Sequence, residues 1–309
     1  MPALSSEGSI NRGVLGVGLS PAELMAYAEI AAALAEVAEV SSLGEGLSAA
    51  VGVADVTPAD LYQLFVKELP PFASIYLSSE GNIGGASRSV IAGFYSALGI
   101  PTPSDPDHLA SLLRLLSGIL VKEAELVGAD SDSVDERRLA SVSRARSVLV
   151  NDHLASWLPA YLLRAEEVAP RALMGWVTCA ADLISVMVGE CQDTGAVTQV
   201  DEEDNLPPNS SSELISWITT PSRSGIIVTH WDIGNFAESL GLALRIGRKR
   251  FVLEELWGQA GPEVVGCIEA LAVHQVKLFD KHSVDFPSLQ AWSAKAVGTI
   301  QLLAARATA

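Results

Sequence analysis

Pro106-Asp107-His108-Leu109 sets a carboxylate and an imidazole side by side at the mouth of a Leu-rich run. Those groups can hold a guanidinium or move a proton. A second pair, Asp152-His153, opens the block His153-Leu154-Ala155-Ser156-Trp157-Leu158-Pro159, where a helix would put His153 and Trp157 on one face. A third block, Leu69-Pro70-Pro71-Phe72-Ala73-Ser74-Ile75-Tyr76-Leu77, is stiffened by its prolines and presents Phe72 and Tyr76 beside the turn former Gly81-Asn82-Ile83-Gly84-Gly85. Convergence of the two Asp-His pairs would make a metal-dependent helical hydrolase.

Enzyme signatures are scarce. The chain has no GxxxxGK[ST] loop, no GxSxG elbow and no HExxH, and the glycine cluster at 81–85 follows no strand. The histidines, His108, His153, His230, His274 and His282, contain no pair three or four apart, so a metal site would have to be assembled from distant segments. The expected role is non-enzymatic, with no metal and no stably bound cofactor.

The elements that must position these blocks are helical. Leu109, Leu112, Leu113, Leu116, Ile119 and Leu120 follow one helix face, and Asp105 as N-cap, Pro106 at the first position and Asp107 in the first turn are the expected start. Further helices are expected over 21–40, 58–67, 86–98, 136–163, 171–190, 212–218, 230–241, 262–279 and 287–305. Strand signals are confined to 224–228 and 242–246. The fold class is therefore all-α, a helical bundle. Turn formers and charge mark linkers at 99–105, 128–136 and 192–212, the last containing Asp201, Glu202, Glu203, Asp204, Pro207 and Pro208. The expected division is a core over 1–195, a linker over 196–212 and an appended, mainly helical module over 213–309.

Composition narrows the partners. The 309 residues carry 49% apolar side chains, enough for a core without staples, and 20 basic against 37 acidic residues give a net charge of -17. That sign disfavours nucleic acid and general adhesion to anionic lipid, and favours a partner with a basic segment. Cys179, Cys191 and Cys267 form no CxxC pair, which fits a reducing compartment. The start of the chain lacks the pattern of a secretory signal, and the chain is expected to be cytoplasmic. Mean hydropathy is +0.31. The two most apolar stretches, 21–40 and 168–189, are interrupted by Glu23, Glu29, Glu36 and Glu39 and by Pro170, Arg171 and Asp182, so neither is expected to span a membrane.

In this order, the three blocks resemble the TorD-like family, cytoplasmic chaperones with DmsD and NarJ among their members, which mature molybdenum enzymes exported by the twin-arginine route. The resemblance covers residues 55–190, with the Pro106-Asp107-His108 block opening a Leu-rich helix as its most specific part. Asp105 stands where the family usually has Glu, and Phe72 and Tyr76 where Trp is frequent; the segment beyond 205 exceeds the usual family length. The resemblance implies a TorD-like bundle that binds the twin-arginine signal peptide and the apo form of a molybdopterin oxidoreductase and assists insertion of its cofactor. The expected peptide site has Leu64, Phe65, Pro71, Phe72 and Tyr76 as apolar wall, with Pro106, Asp107 and His108 as the polar end, and His153 and Trp157 as supporting packing. Weak GTP binding is claimed for some relatives, which occur as monomers and as swapped homodimers. A leader-independent assembly factor for a nitrate-reductase-like enzyme is the related alternative, and a hydrolase using Asp107, His108, Asp152 and His153 the distant one.

Overall fold

A computed structural model describes residues 18–39, 56–129, 136–191 and 208–307, and every regular element among them is a helix. The fold is all-α, as expected. Helix α1 (Pro21–Ala38) starts at a reciprocal cap in which Ser20 and Glu23 satisfy each other's backbone N–H, with Pro21 at the first helical position. Its buried face is rich in small side chains, Ala28, Ala31, Ala35 and Ala38, which lets α5 (Leu109–Val127) lie close along it. Helix α5 buries ten side chains, among them six leucines; at roughly 1.5–3 kcal/mol for each large aliphatic group, this contact anchors the bundle. Helix α8 (Met174–Glu190) closes the other side of α1, and the Trp176 indole N–H donates to the Leu34 carbonyl at 3.0 Å. The 20-residue stretch Arg171–Glu190 is long and apolar enough to cross a membrane by length and composition alone. Here Trp176, Val177, Ala180, Leu183, Ile184 and Met187 face the interior.

Two single-turn distortions interrupt the expected helices. After α2 (Pro58–Leu61) the chain continues as a π-helical segment, Tyr62–Glu68. The expected helix over 136–163 divides into α6 (Glu136–Val148), a π segment (Leu149–Leu154) and α7 (Leu158–Val168). The cause is local: Pro159 lacks an N–H and its ring collides with the carbonyl one turn back, so Trp157 leaves helical geometry at φ -138°. Between these lie α3 (Ala73–Leu77) and α4 (Gly85–Ala97).

Beyond residue 208 the order is α9 (Ser211–Ile218), α10 (Pro221–Ser224), α11 (His230–Leu240), α12 (Lys249–His282) and α13 (Leu289–Ala307). The α12 span is two helices that meet at non-helical Ala260 (φ -152°), two residues before Pro262, and the helix expected over 262–279 is the second of them. The strand candidates at 224–228 and 242–246 find no pairing partner: 226–228 is a buried extended segment and 242–246 an exposed one. Most of the expected linker, 192–207, lies outside the described residues, as does most of the linker at 128–136; of the rest, Ser210 caps α9. The C-terminal helices own a second apolar cluster, yet Ile227, Phe279, Phe286, Leu289 and Trp292 belong to the large cluster of the N-terminal helices. A buried ion pair, Arg164 on α7 with Asp232 on α11, crosses the same junction.

Candidate functional site

The start of α5 differs from the expected one, and the difference builds the site. The cap is His108, whose Nδ1 accepts from the Ala110 N–H at 3.1 Å, with the helix beginning at Leu109. Residues 105–108 cannot be helical because their backbone is engaged elsewhere. The Asp107 carbonyl accepts from the Ala73 N–H at 2.9 Å, and the Leu109 N–H donates to the Pro71 carbonyl at 2.8 Å. This short antiparallel bridge is the isolated pairing of Phe72 with His108, whose rings meet edge to face at 4.7 Å. The Pro-Pro-aromatic block and the Asp-His block are therefore one unit.

Asp107 is fully buried. Its Oδ2 accepts from the Ser74 hydroxyl at 2.5 Å, and the Gly84 N–H donates to that same hydroxyl oxygen at 3.0 Å. The carboxylate thus fixes the glycine turn through Ser74. The Arg88 guanidinium lies 3.9 Å from Oδ1 and donates to the Ser104 carbonyl at 2.7 Å. As placed, Oδ2 of Asp107 is occupied from inside by Ser74, while buried Oδ1 faces Arg88 at 3.9 Å and has no hydrogen-bond partner; the carboxylate lies inside the protein and not on its surface.

The third block joins through the aromatic rings. Tyr76 stacks on Trp157 at 5.2 Å and meets Tyr161 edge-on at 5.5 Å, and its hydroxyl donates to the Pro70 carbonyl at 3.0 Å. Trp157 donates its indole N–H to the His153 carbonyl at 2.9 Å, while the His153 ring packs against Phe94 at 5.0 Å. Burial holds His153 neutral, its pKa pushed down to about 4, and holds the Tyr76 phenol well above its usual range. Leu64, Phe65 and Tyr76 are 0–2% exposed, and Pro71 and Pro106 are buried as well. The apolar wall expected of Leu64, Phe65, Pro71 and Tyr76 is thus core, because the bridge and the aromatic stack turn these side chains inward. Phe72 and His108 alone of the eight expected peptide-contact residues keep part of their surface in solvent. Burial lowers the His108 pKa, and Asp105, Glu39 and Asp107 oppose the shift.

The face around His108 holds residues that sequence reasoning missed. Glu39 and Arg114 form an exposed ion pair beside it, and Arg114 leads into an apolar cleft of about 670 Å³ along α5, walled by Leu98, Pro101, Leu115, Ile119 and Val142. A smaller cleft of about 300 Å³ adjoins it at Lys122, Ser141 and Val142. The sequence signal for this cleft is Leu115, an apolar residue of α5 outside the face first read, beside Ile119 at the edge of that face, together with Pro101 and Pro103 in what reads only as a linker.

Among the described residues no group of three His, Cys, Asp or Glu side chains stands close enough to hold a metal ion. Residues 25–162, which contain all three blocks, match the family model described as nitrate reductase delta subunit. This segment belongs to the nitrate reductase delta family. The family comprises the NarJ/TorD-like chaperones, which serve the maturation of molybdenum enzymes. Within the delta-family segment, the Phe72–His108 bridge, the Asp107–Ser74 contact and the Tyr76–Trp157 stack are the points where its three blocks meet. Neither a curated protein nor a solved structure matches the chain.

Proposed function

We propose that this chain is a non-enzymatic, cytoplasmic assembly chaperone that binds the apo form of a molybdopterin oxidoreductase and keeps it competent for insertion of its cofactor before export. The observation that carries this reading is the meeting of the three motif blocks, inside the family-matched segment, beside an apolar cleft along α5. The molybdopterin is cargo of the client in this reading. A chaperone needs a face that takes apolar segments the client has not yet buried, and the cleft has that character.

The twin-arginine signal peptide is the first ligand we assign to this face. Phe72, His108, Asp105 and Glu39 lie at the α5 N-terminus, and the cleft begins within the first turn of the same helix, at Ser111, and continues past Arg114 and Leu115. A leader placed with its arginines at Asp105 and Glu39 would run its apolar stretch down the cleft. Arg114 then acts as the resident guanidinium that the leader displaces from Glu39.

A second reading, assembly of a nitrate-reductase-like enzyme without its leader, is favoured by the burial of Leu64, Phe65, Tyr76 and Asp107, which removes the groove first expected for a leader. Arg114 and Lys122 on the cleft rim also suit a client segment with acidic flanks better than a cationic one. Calorimetric titration separates the two readings. A synthetic twin-arginine leader should bind the wild type at micromolar affinity or tighter, and Phe72→Ala/His108→Ala or Leu115→Glu should weaken it by about tenfold or more, ~1.4 kcal/mol. A folded wild type that ignores the leader but binds the leaderless apoenzyme selects the second reading. Binding to neither overturns both.

A further inference from the structure

The segment 242–251, Leu-Ala-Leu-Arg-Ile-Gly-Arg-Lys-Arg-Phe, holds four of the chain's 20 basic residues and no acidic one. In the structure it is a presented loop, 242–248, that runs into the first turn of α12. At one end the Leu242 N–H donates to the Ala237 carbonyl at 2.8 Å, and the Gln259 amide holds both the N–H and the carbonyl of Ala243, at 3.3 and 3.1 Å. At the other end the Gly247 carbonyl lies 3.2 Å from His230 Nε2, and the Phe251 ring packs over Gly247. Between these anchors Leu244, Arg245 and Ile246 project. Ile246 is fully exposed, and Leu244, Phe251 and Trp231 are each about half exposed.

Trp231 extends the patch. His230 beside it bridges Gly247 to the Lys67 carbonyl, at 3.2 and 2.9 Å, and the Trp231 N–H donates to buried Glu68 at 2.9 Å. Exposed Val66 and Tyr62 follow on that π segment. The cations divide by role. Lys249 points inward and donates to the Val228 carbonyl at 3.2 Å, while Arg245 and Arg250 lean on Glu255 and Glu254 at 3.5 and 3.1 Å. Arg248 is exposed and has no ion-pair partner among the described residues.

Large aliphatic and aromatic side chains held out in solvent, with arginines around them, match an interface that yields to the protein. The two clefts named above are lined by residues of α4–α6 and the segments beside them, and none of residues 242–251 lines either. We propose that the 242–251 loop, with Trp231, docks the chain peripherally on an anionic lipid surface, Leu244 and Ile246 entering the acyl boundary and Arg245, Arg248 and Arg250 meeting lipid phosphates. The net charge of -17 does not forbid this, because charges more than about 8–10 Å away are screened at physiological salt; within that range Glu255 and Glu254 offset Arg245 and Arg250, and Arg248 is the cation in local excess. The inference is independent of the client assigned above and stands or falls without it.

Co-sedimentation of the full chain with vesicles tests it. The chain should sediment with vesicles of phosphatidylglycerol and phosphatidylcholine in equal parts and not with phosphatidylcholine alone. Leu244→Glu/Ile246→Glu and Arg248→Glu should each lower partition on the order of tenfold or more, while circular dichroism remains that of the wild type. A folded wild type that stays in the supernatant with anionic vesicles at low salt overturns the proposal, as does binding that neither variant changes. Failure with vesicles together with saturable binding of poly-glutamate assigns the patch to an acidic protein partner instead.

Discussion

The guanidinium of Arg164 donates from one nitrogen to both carboxylate oxygens of Asp232, at 2.8 and 2.7 Å, and both side chains are almost completely buried. Asp232 also caps α11 by accepting from the Thr229 N–H and hydroxyl, both at 2.7 Å. Arg164 pairs as well with Glu167, which meets His274. One ion pair therefore ties the delta-family segment, just past its last matched residue, to the helices that follow it. Removing Asp232 leaves the buried Arg164 guanidinium with only the part-buried Glu167 as counter-charge and strips the α11 cap of its acceptor. Asp232→Ala should lower unfolding stability by about 3–5 kcal/mol, read as a shift of the urea midpoint.

The same junction bears on truncation. A chain ending at 207 would uncover the cluster that Ile227, Phe279, Phe286, Leu289 and Trp292 complete, and would strip buried Glu68 of the Trp231 N–H. We expect such a fragment to bind a hydrophobic dye strongly and to lose its cooperative thermal transition; a fragment that melts sharply at the wild-type temperature would contradict this packing.

Asp107 and Phe72 should separate in assay. Asp107→Ala removes the carboxylate that holds Ser74 and, through it, the glycine turn, so it should cost about 1–3 kcal/mol of stability. Phe72→Ala acts on a partly exposed ring and should leave the midpoint less affected while weakening client binding. Denaturation midpoints measured beside binding isotherms decide whether the loss in an Asp107 variant reflects the ligand or the fold.

His153 gives the fold a pH dependence. Its pKa is pushed down to about 4 by burial, against about 6.5 in an unfolded chain, so between those values the unfolded state binds the extra proton. Stability then rises with pH through this window and falls as pH drops from about 6.5 towards 4, by on the order of 3 kcal/mol in total. His153→Gln should flatten the slope of urea midpoint against pH in that interval; an unchanged slope would remove His153 as its source.

Gly225 has φ +69°, and a Cβ there would lie 2.4 Å from the Ala296 nitrogen and 2.6 Å from the Trp292 carbonyl oxygen. No flexible side chain can yield that space, because both neighbours are the backbone of α13. Gly225→Ala should destabilise by about 3 kcal/mol or more and show as loss of soluble expression or a much lower Tm.

Local patterns were enough for the class of fold. The apolar period of α5, the Ser20–Glu23 cap and the prolines at helix starts are short-range effects, and each is written in neighbouring residues. The blocks around Phe72, His108 and Trp157 were legible as motifs for the same reason, and the family match covers all three. What each side chain does there was decided only by contacts between distant segments. The bridge from Phe72 to His108 moved the cap of α5 from Asp105 to His108 and sealed Asp107 against Ser74. The stack on Trp157 turned Tyr76 inward, and α6 and the Pro101 segment opened a cleft along the other face of α5. Arg164 and Asp232, 68 positions apart, read as ordinary surface charges in their own neighbourhoods. Burial of a charge is a property of everything packed around it, and helical periodicity records only which face is apolar, not which apolar face remains uncovered.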